Sequence, residues 1–214
     1  MRIRTMMALG VTSIALALLA PVAKAEPLTF FFEGHIDTLV DIGLDESVDI
    51  GTPFFGSYTF DPVDAADSSP GNPHFGFYGF LSPAHLSVTV GNYEFVTNDL
   101  LIVAVNDDLI GDFYAASNWS NFYSNGFEWY AMGIFLLDTT RTALDSDALP
   151  HTPPDLVAFP FYTVFSAGIP GHLGEVMGGP LTSLTPEPGS LALFAFGAIL
   201  FCRRSTRWGR YECL

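Results

Sequence analysis

The chain has 214 residues, 23 of them acidic and 8 basic, which gives a formal net charge of −15. Such an acid excess repels nucleic-acid phosphates and anionic lipid surfaces, so nucleic-acid binding is the first function class excluded. The two cysteines, Cys202 and Cys213, both lie near the C-terminus, which excludes disulfides, thiolate catalysis and Cys-type zinc sites from the body of the chain.

The N-terminus has the composition of a secretory signal peptide, residues 1–25. Arg2 and Arg4 form a positive n-region, and an almost unbroken apolar stretch, 6–22, follows them. The segment 23–25, Ala-Lys-Ala, supplies the small residues that signal peptidase requires before its cleavage point. We expect export and cleavage after residue 25. A retained N-terminal anchor helix is the alternative, and the polar, turn-rich sequence that follows argues against it.

Removal of both ends makes the remaining body far more acidic. Seven of the eight basic residues lie in the leader or beyond residue 202, so Arg141 alone remains, against 22 of the 23 acids and a net charge of about −21. The remaining residues, about 26–188, include the body proper, 26–184, and are enough for one domain with a hydrophobic core and too few for two.

The body has the pattern of an all-β domain, because short runs rich in Phe, Tyr, Val, Thr and Ile alternate with Gly, Pro, Asn and Asp. The predicted strands are 28–32, 36–42, 54–60, 85–90, 93–97, 100–106, 127–137, 156–165 and a weak closing strand at 181–184. Segments 85–90 and 93–97 flank Gly91-Asn92 and predict a hairpin. Segment 100–106 is continuously apolar and predicts a buried central strand.

Three segments predict long loops, 61–73, 145–154 and the glycine-rich 168–180. No body segment carries a capped helical period. We therefore expect an antiparallel β-sandwich of jelly-roll type, with a closed or partly open barrel as the alternative.

An aromatic cluster lies between residues 119 and 130, interleaved with Asn and Ser. Trp119, Tyr123 and Trp129 are the candidate ligand-binding residues, because aromatic faces beside amide groups hold sugar rings by stacking and hydrogen bonds. The alternative is that Trp129 and its alternating neighbours form core, with an Asn-rich turn before them.

The acids fall into three groups that could supply oxygen ligands to a structural calcium ion. The groups are Asp61, Asp64 and Asp67; Asp107, Asp108 and Asp112; and Asp145 and Asp147. None has the spacing of a calcium-binding loop, and Asp commonly caps turns, so we predict no resident cofactor and keep calcium as the alternative. The chain also lacks nucleophile-elbow, phosphate-loop and paired-histidine metal motifs, so we predict no catalytic residues.

The C-terminal segment 185–210 combines three parts. A rigid turn at Pro186, Glu187, Pro188 and Gly189 precedes an apolar run, 190–202, which predicts a short hydrophobic helix. Arg203 and Arg204 then begin a basic cluster, as in a membrane stop signal with its basic end in the cytoplasm.

This order of parts resembles the PEP-CTERM sorting tail of Gram-negative bacteria, which exosortase recognises. Three body segments, 32–37, 56–62 and 146–150, are similar to a recurrent secreted PEP-CTERM domain. The resemblance implies export, a transient stay in the inner membrane, cleavage near the Pro-Glu-Pro triplet and release to the cell surface or medium. It also implies signal peptidase and exosortase as partners and exopolysaccharide as a contact, and it supplies no catalytic residues.

We thus expect a non-enzymatic, exported protein of the cell surface or extracellular matrix. A secreted carbohydrate-binding module that uses the aromatic cluster is the second hypothesis. A secreted hydrolase is the third, and it requires acids and histidines to converge in one cleft.

Overall fold

The computed structural model describes residues 26–81, 83–118, 120–170 and 176–187. Within these ranges the chain is all-β and every strand pairing is antiparallel, with a single 3₁₀ turn at Leu156–Ala158. The all-β prediction is confirmed. The predicted leader and the predicted hydrophobic tail helix lie outside the described residues. Among the described residues, no helix is long and apolar enough to cross a membrane.

Twelve strands are present in the described part of the chain. In chain order they are β1 Leu28–His35, β2 Thr38–Leu39, β3 Pro53–Phe60, β4 Phe75–Phe80, β5 His85–Val90, β6 Tyr93–Thr97, β7 Leu100–Asp108, β8 Gly111–Ser117, β9 Phe122–Ser124, β10 Phe127–Asp138, β11 Tyr162–Gly168 and β12 Met177–Pro186. They form one sheet in the order β4-β7-β8-β10-β11-β12-β1-β3-β5-β6, with β2 beside β12 and β9 beside β10.

Strand β12 joins two halves of this sheet. Residues 177–180 pair with β11, and residues 181–186 pair with β1. We call β1, β3, β5, β6 and the end of β12 the first half, and β4, β7, β8, β10 and β11 the second half. The short connection at Asn98–Asp99 leads from β6, at one end of the strand order, to β7, near the other end. The sheet is therefore strongly curled.

The inner sides of the two halves contact each other in one hydrophobic core. Ring centroids lie 4.8 Å apart for Phe54 and Phe165, and 4.8 Å apart for Phe95 and Trp129. At the centre, the hydroxyls of Tyr58 and Tyr114 are 2.9 Å apart and fully buried. Burial raises the pKa of both phenols well above the usual value. This pair satisfies two polar groups that would otherwise be costly in the core.

The outer side of the second half carries a second, separate apolar cluster, which we call the apolar face. Its members occupy outward positions of β4, β7, β8 and β10: Phe75, Phe77, Leu101, Val103, Val105, Phe113, Ala115 and Phe135. Alternate residues of the same strands, such as Ile102 and Tyr114, belong to the main core. These strands are thus apolar on both sides.

The outer side of the first half is different, and we call it the hydroxyl face. Its outward positions are Phe31, Glu33, Phe55, Ser57, Ser87, Thr89, Glu94, Val96, Ser183 and Thr185. Strand β1 shows the alternation clearly, because Phe30 and Phe32 are buried whereas Phe31 and Glu33 are exposed.

Several strand predictions are confirmed and others need correction. The hairpin of β5 and β6 and the buried strand β7 lie where the sequence predicts them. In contrast, the predicted strand 36–42 contains only Thr38–Leu39, and the first part of 156–165 is the 3₁₀ turn. Strands β4, β8 and the short β9 have no predicted counterpart.

The predicted irregular segment 168–180 is wrong for residues 177–180, which begin β12. The glycine at 179 is needed within the strand, because a Cβ there would lie 2.0 Å from the backbone oxygen of His35. Strand β4 follows the same rule, because a Cβ on Gly76 would lie 2.0 Å from the backbone oxygen of Asp147. Glycine marks close backbone approach at both places, although it usually signals a loop.

Candidate functional site

The predicted aromatic cluster divides into a buried part and an exposed part. Trp129 is fully buried, packs against Phe95 and Phe127, and donates its indole N–H to the Ser124 carbonyl at 3.2 Å. Because the side chain is fully buried, no face of its ring is open to a ligand. Stacking on a sugar requires an accessible face, so Trp129 is not a stacking residue. The structure thus places Trp129 in the core, as the alternative interpretation had it. Trp119 lies outside the described residues.

Tyr123 is the exposed member, on the opposite side of the β9–β10 hairpin. Its side chain is 79% exposed and lies directly across from Glu128. The Tyr123 hydroxyl donates to Glu128 Oε2 at 3.2 Å, and the Asn121 amide donates to Oε1 at 2.9 Å. The carboxylate of Glu128 raises the pKa of the Tyr123 phenol, first through this hydrogen bond and then through its charge. The hydrogen bond to Glu128 thereby orients the Tyr123 ring on the surface.

A buried polar network holds the segment just before this hairpin. The Asp99 carboxylate accepts from the Thr97 hydroxyl, from the Ser120 hydroxyl and from the Ser120 backbone N–H, the last at 2.9 Å. The Asn118 side chain donates to the Ser120 carbonyl and accepts from the Met132 N–H, both at 2.6 Å. Sequence reasoning did not single out Asp99, because its partner Ser120 lies 21 residues further along the chain. The network fixes Asn118 and Ser120 against β6 and β10.

The first predicted acidic group acts in turns. Asp61 accepts from the Val63 N–H at 3.0 Å, and Asp67 accepts from the N–H groups of Ser69 at 2.8 Å and Phe77 at 3.0 Å. Asp67 thereby ties the 61–73 loop to the edge of β4. These are the capping roles that short acidic side chains usually take.

Asp112, in the second group, is fully buried at the start of β8. Its carboxylate accepts backbone N–H groups from Asp107, Ala143 and Leu144 at 2.8 to 2.9 Å. Within the described residues, no group of three or more His, Cys, Asp or Glu side chains could hold a metal ion.

Asp138 was not predicted, yet it lies directly opposite Asp112 across the β8–β10 pair and is equally buried. It accepts N–H groups from Thr140 and Thr142, each at 2.8 Å, and hydroxyl groups from the same two residues. The Thr142 N–H and the other donors lower the pKa of Asp138 to about 2. This pair of carboxylates organises the turn after β10.

The predicted sorting motif begins inside the fold. Pro186 ends β12 opposite Phe30, and the Glu187 N–H donates to the Thr29 carbonyl at 3.0 Å. The other predicted sorting residues lie outside the described residues: Pro188, Gly189, Arg203 and Arg204.

Comparison of the chain with protein-family models, with curated proteins and with solved structures finds no match. Its function is therefore argued from its own residues and geometry.

Proposed function

We propose that this is an exported, non-enzymatic protein of the cell surface or extracellular matrix. In this proposal signal peptidase removes residues 1–25, and the 185–210 tail holds the chain briefly in the inner membrane until an exosortase cuts near the Pro-Glu-Pro triplet. The acidic body then remains outside the cytoplasm, where exopolysaccharide is its expected contact.

The observation that carries the proposal is the position of the folded body between the two predicted signals. Strand β1 begins at Leu28, close behind the predicted cleavage point after Ala25. Strand β12 ends at Pro186, the first residue of the predicted sorting triplet. Cleavage at these two points would leave every strand of the sheet intact.

The curled sheet is, in this proposal, a β-sandwich of jelly-roll type. The aromatic contacts between β3 and β11 and between β6 and β10 support two layers that face each other, since these strands are distant in the strand order. The change of partner along β12 supports a strand that turns the corner between the layers.

A structural rather than catalytic role is supported by how the buried carboxylates are used. Asp112 and Asp138 each accept several backbone N–H groups, so their oxygens serve the turns that they hold. A secreted hydrolase instead needs carboxylates that are open to a cleft and to water.

Intact-mass analysis of the protein recovered from the envelope and the medium of its native host tests the proposal. We expect a species that begins at Glu26 and ends at or beyond Glu187, with the apolar run removed. Full-length protein, 1–214, recovered as a soluble cytosolic species would overturn it.

Carbohydrate binding through the β9–β10 hairpin is the second candidate function, and the orientation of Tyr123 by Glu128 favours it. A glycan array compares the Tyr123→Ala variant with Tyr123→Phe, which keeps the ring and loses the hydroxyl. We expect Tyr123→Ala to abolish retention and Tyr123→Phe, which keeps the ring but loses the hydrogen bond to Glu128, to weaken it less. Retention of Tyr123→Ala equal to that of the unchanged chain removes this candidate.

A further inference from the structure

The exposed large apolar side chains are not scattered evenly over the strands. Most lie in turns, and those within strands are Phe31, Phe55, Val96, Tyr123 and Tyr162. Three of these five, Phe31, Phe55 and Val96, lie on the hydroxyl face, with exposures of 40%, 54% and 46%. Exposed apolar side chains that cluster on one face are a feature of contact surfaces.

The register places the rings of Phe31 and Phe55 on neighbouring strands, at diagonal positions. Phe31 lies opposite Ser57, and Glu33 lies opposite Phe55, so Phe31 and Phe55 are diagonal neighbours about 7–8 Å apart. The other diagonal of the same square holds Glu33 and Ser57. Rings therefore alternate with a carboxylate and a hydroxyl.

A shallow cleft follows these residues. It has a volume of about 510 Å³ and is lined by Phe31, Phe32, Glu33, Phe55, Gly56, Ser183 and Thr185. A bulge between Glu33 and Gly34 shifts the pairing of β1 with β12 at the same place. Bulges bend a strand and redirect its side chains, so the hollow lies where β1 departs from regular pairing.

The hydroxyl face continues across β5 and β6. Ser87 and Val96 pair in line with Phe31 and Ser57, and Thr89 and Glu94 pair in line with Glu33 and Phe55. Five adjacent strands at about 4.8 Å spacing give a band roughly 20 Å wide. A band of this width is long enough for several sugar rings of an extended polymer to lie across the strands.

We propose that the hydroxyl face binds a neutral polysaccharide chain, with Phe31 and Phe55 stacked on sugar rings. The apolar faces of pyranose rings pack on exposed aromatic rings, and sugar hydroxyls donate to Glu33 and exchange hydrogen bonds with Ser57, Ser183 and Thr185. Charge excludes an anionic chain, because the body of about −21 repels it. The uncharged rings and hydroxyls that make up most of the face favour a neutral chain over a cationic one. The site is distinct from Tyr123. It rests on the proposed function only for the extracellular location in which the protein would encounter polysaccharide.

Retention of the purified full-length chain on immobilised polysaccharides tests this site. The probes are neutral β-glucan, mannan, xylan and dextran, together with anionic alginate and cationic chitosan. We expect retention on at least one neutral polymer and little dependence on salt. Phe31→Ala and Phe55→Ala should each weaken retention roughly three- to tenfold, the range that one aromatic contact supplies.

Matched variants separate stacking from other effects. Phe161→Ala removes another exposed phenylalanine, outside this face, and should bind as the unchanged chain does. Phe55→Leu keeps apolar area without a ring and should bind weakly, whereas Phe55→Trp should bind at least as well. Thermal unfolding of each variant checks that it is folded.

Three results would overturn the proposal. They are no retention on any neutral polymer, retention of the folded Phe31→Ala and Phe55→Ala variants equal to that of the unchanged chain, and retention confined to chitosan that disappears with added salt. Loss of retention in Tyr123→Ala alone would move binding to the hairpin. A failure here would leave the export proposal standing, because intact mass measures export independently.

Discussion

The two outer faces of the curled sheet are built from the same strand geometry but have opposite surface chemistry. On the apolar face, Val103, Val105 and Ala115 are nearly buried because Phe side chains on neighbouring strands cover them. On the hydroxyl face, Phe31 and Phe55 stand apart among small polar side chains and remain about half exposed. Neighbours, rather than residue type, decide whether an outward apolar side chain is hidden.

This difference separates a stabilising surface from a binding surface. Apolar side chains that cover one another remove area from water and stabilise the fold without a partner. Isolated rings leave their faces open, so they contribute little to folding and remain available to a ligand. The following predictions test this contrast, from the largest expected effect to the smallest.

A matched pair of substitutions gives the largest contrast. Val103 is 8% exposed on the apolar face, whereas Val96 is 46% exposed on the hydroxyl face. We expect Val103→Asp to lower the free energy of unfolding by about 3 kcal/mol or more, because an unpaired carboxylate is buried. Val96→Asp should change it by less than about 1 kcal/mol. Urea unfolding of both measures the difference, and equal losses would remove the contrast between the faces.

The buried tyrosine pair tests whether the inner sides of the two halves meet. Tyr58→Phe or Tyr114→Phe alone leaves one buried hydroxyl without its partner and should cost about 1–3 kcal/mol. The double variant should cost less than the sum of the two single losses. Strict additivity in urea unfolding would show that the two hydroxyls do not interact.

How far the sequence predicts these features depends on the range of the interactions involved. Strands β3, β5 and β6 are readable because their apolar alternation is local, and β7 because its continuous apolar run is local. Strand β4 is hidden by Gly76, whose close neighbour Asp147 is distant in sequence. For Trp129 the sequence left two roles open, ligand binding and core, and long-range packing against Phe95 decides for the core.

The hydroxyl face was invisible for a similar reason. The run Phe30-Phe31-Phe32 has no apolar alternation, so the outward position of Phe31 follows only from pairing with β3 and β12. Phe55 meets Phe31 through a register that spans sequence-distant strands. A binding surface assembled across strands leaves no local motif to read.

Acid pH provides the smallest effect, confined to the end of the second half. The folded-state pKa of Asp138, about 2, lies below its ordinary value of 3.8. Its contribution to stability is therefore complete above pH 4 and is lost as the pH falls from about 4 to 2. We expect the urea midpoint of Asp138→Asn to vary less across this window than that of the unchanged chain. Asp37→Asn, at an exposed position, is the control, and an unchanged slope in Asp138→Asn would contradict the assignment.

Amide NMR during titration with a soluble oligosaccharide of the neutral polymer that retains the protein tests the difference between the two faces most directly. We expect the largest shift changes at residues 31–33 and 55–57 of β1 and β3, and no change at residues 101–105 of β7. Shift changes centred on the apolar face, or none at the hydroxyl face, would contradict the assignment of binding to the first half of the sheet.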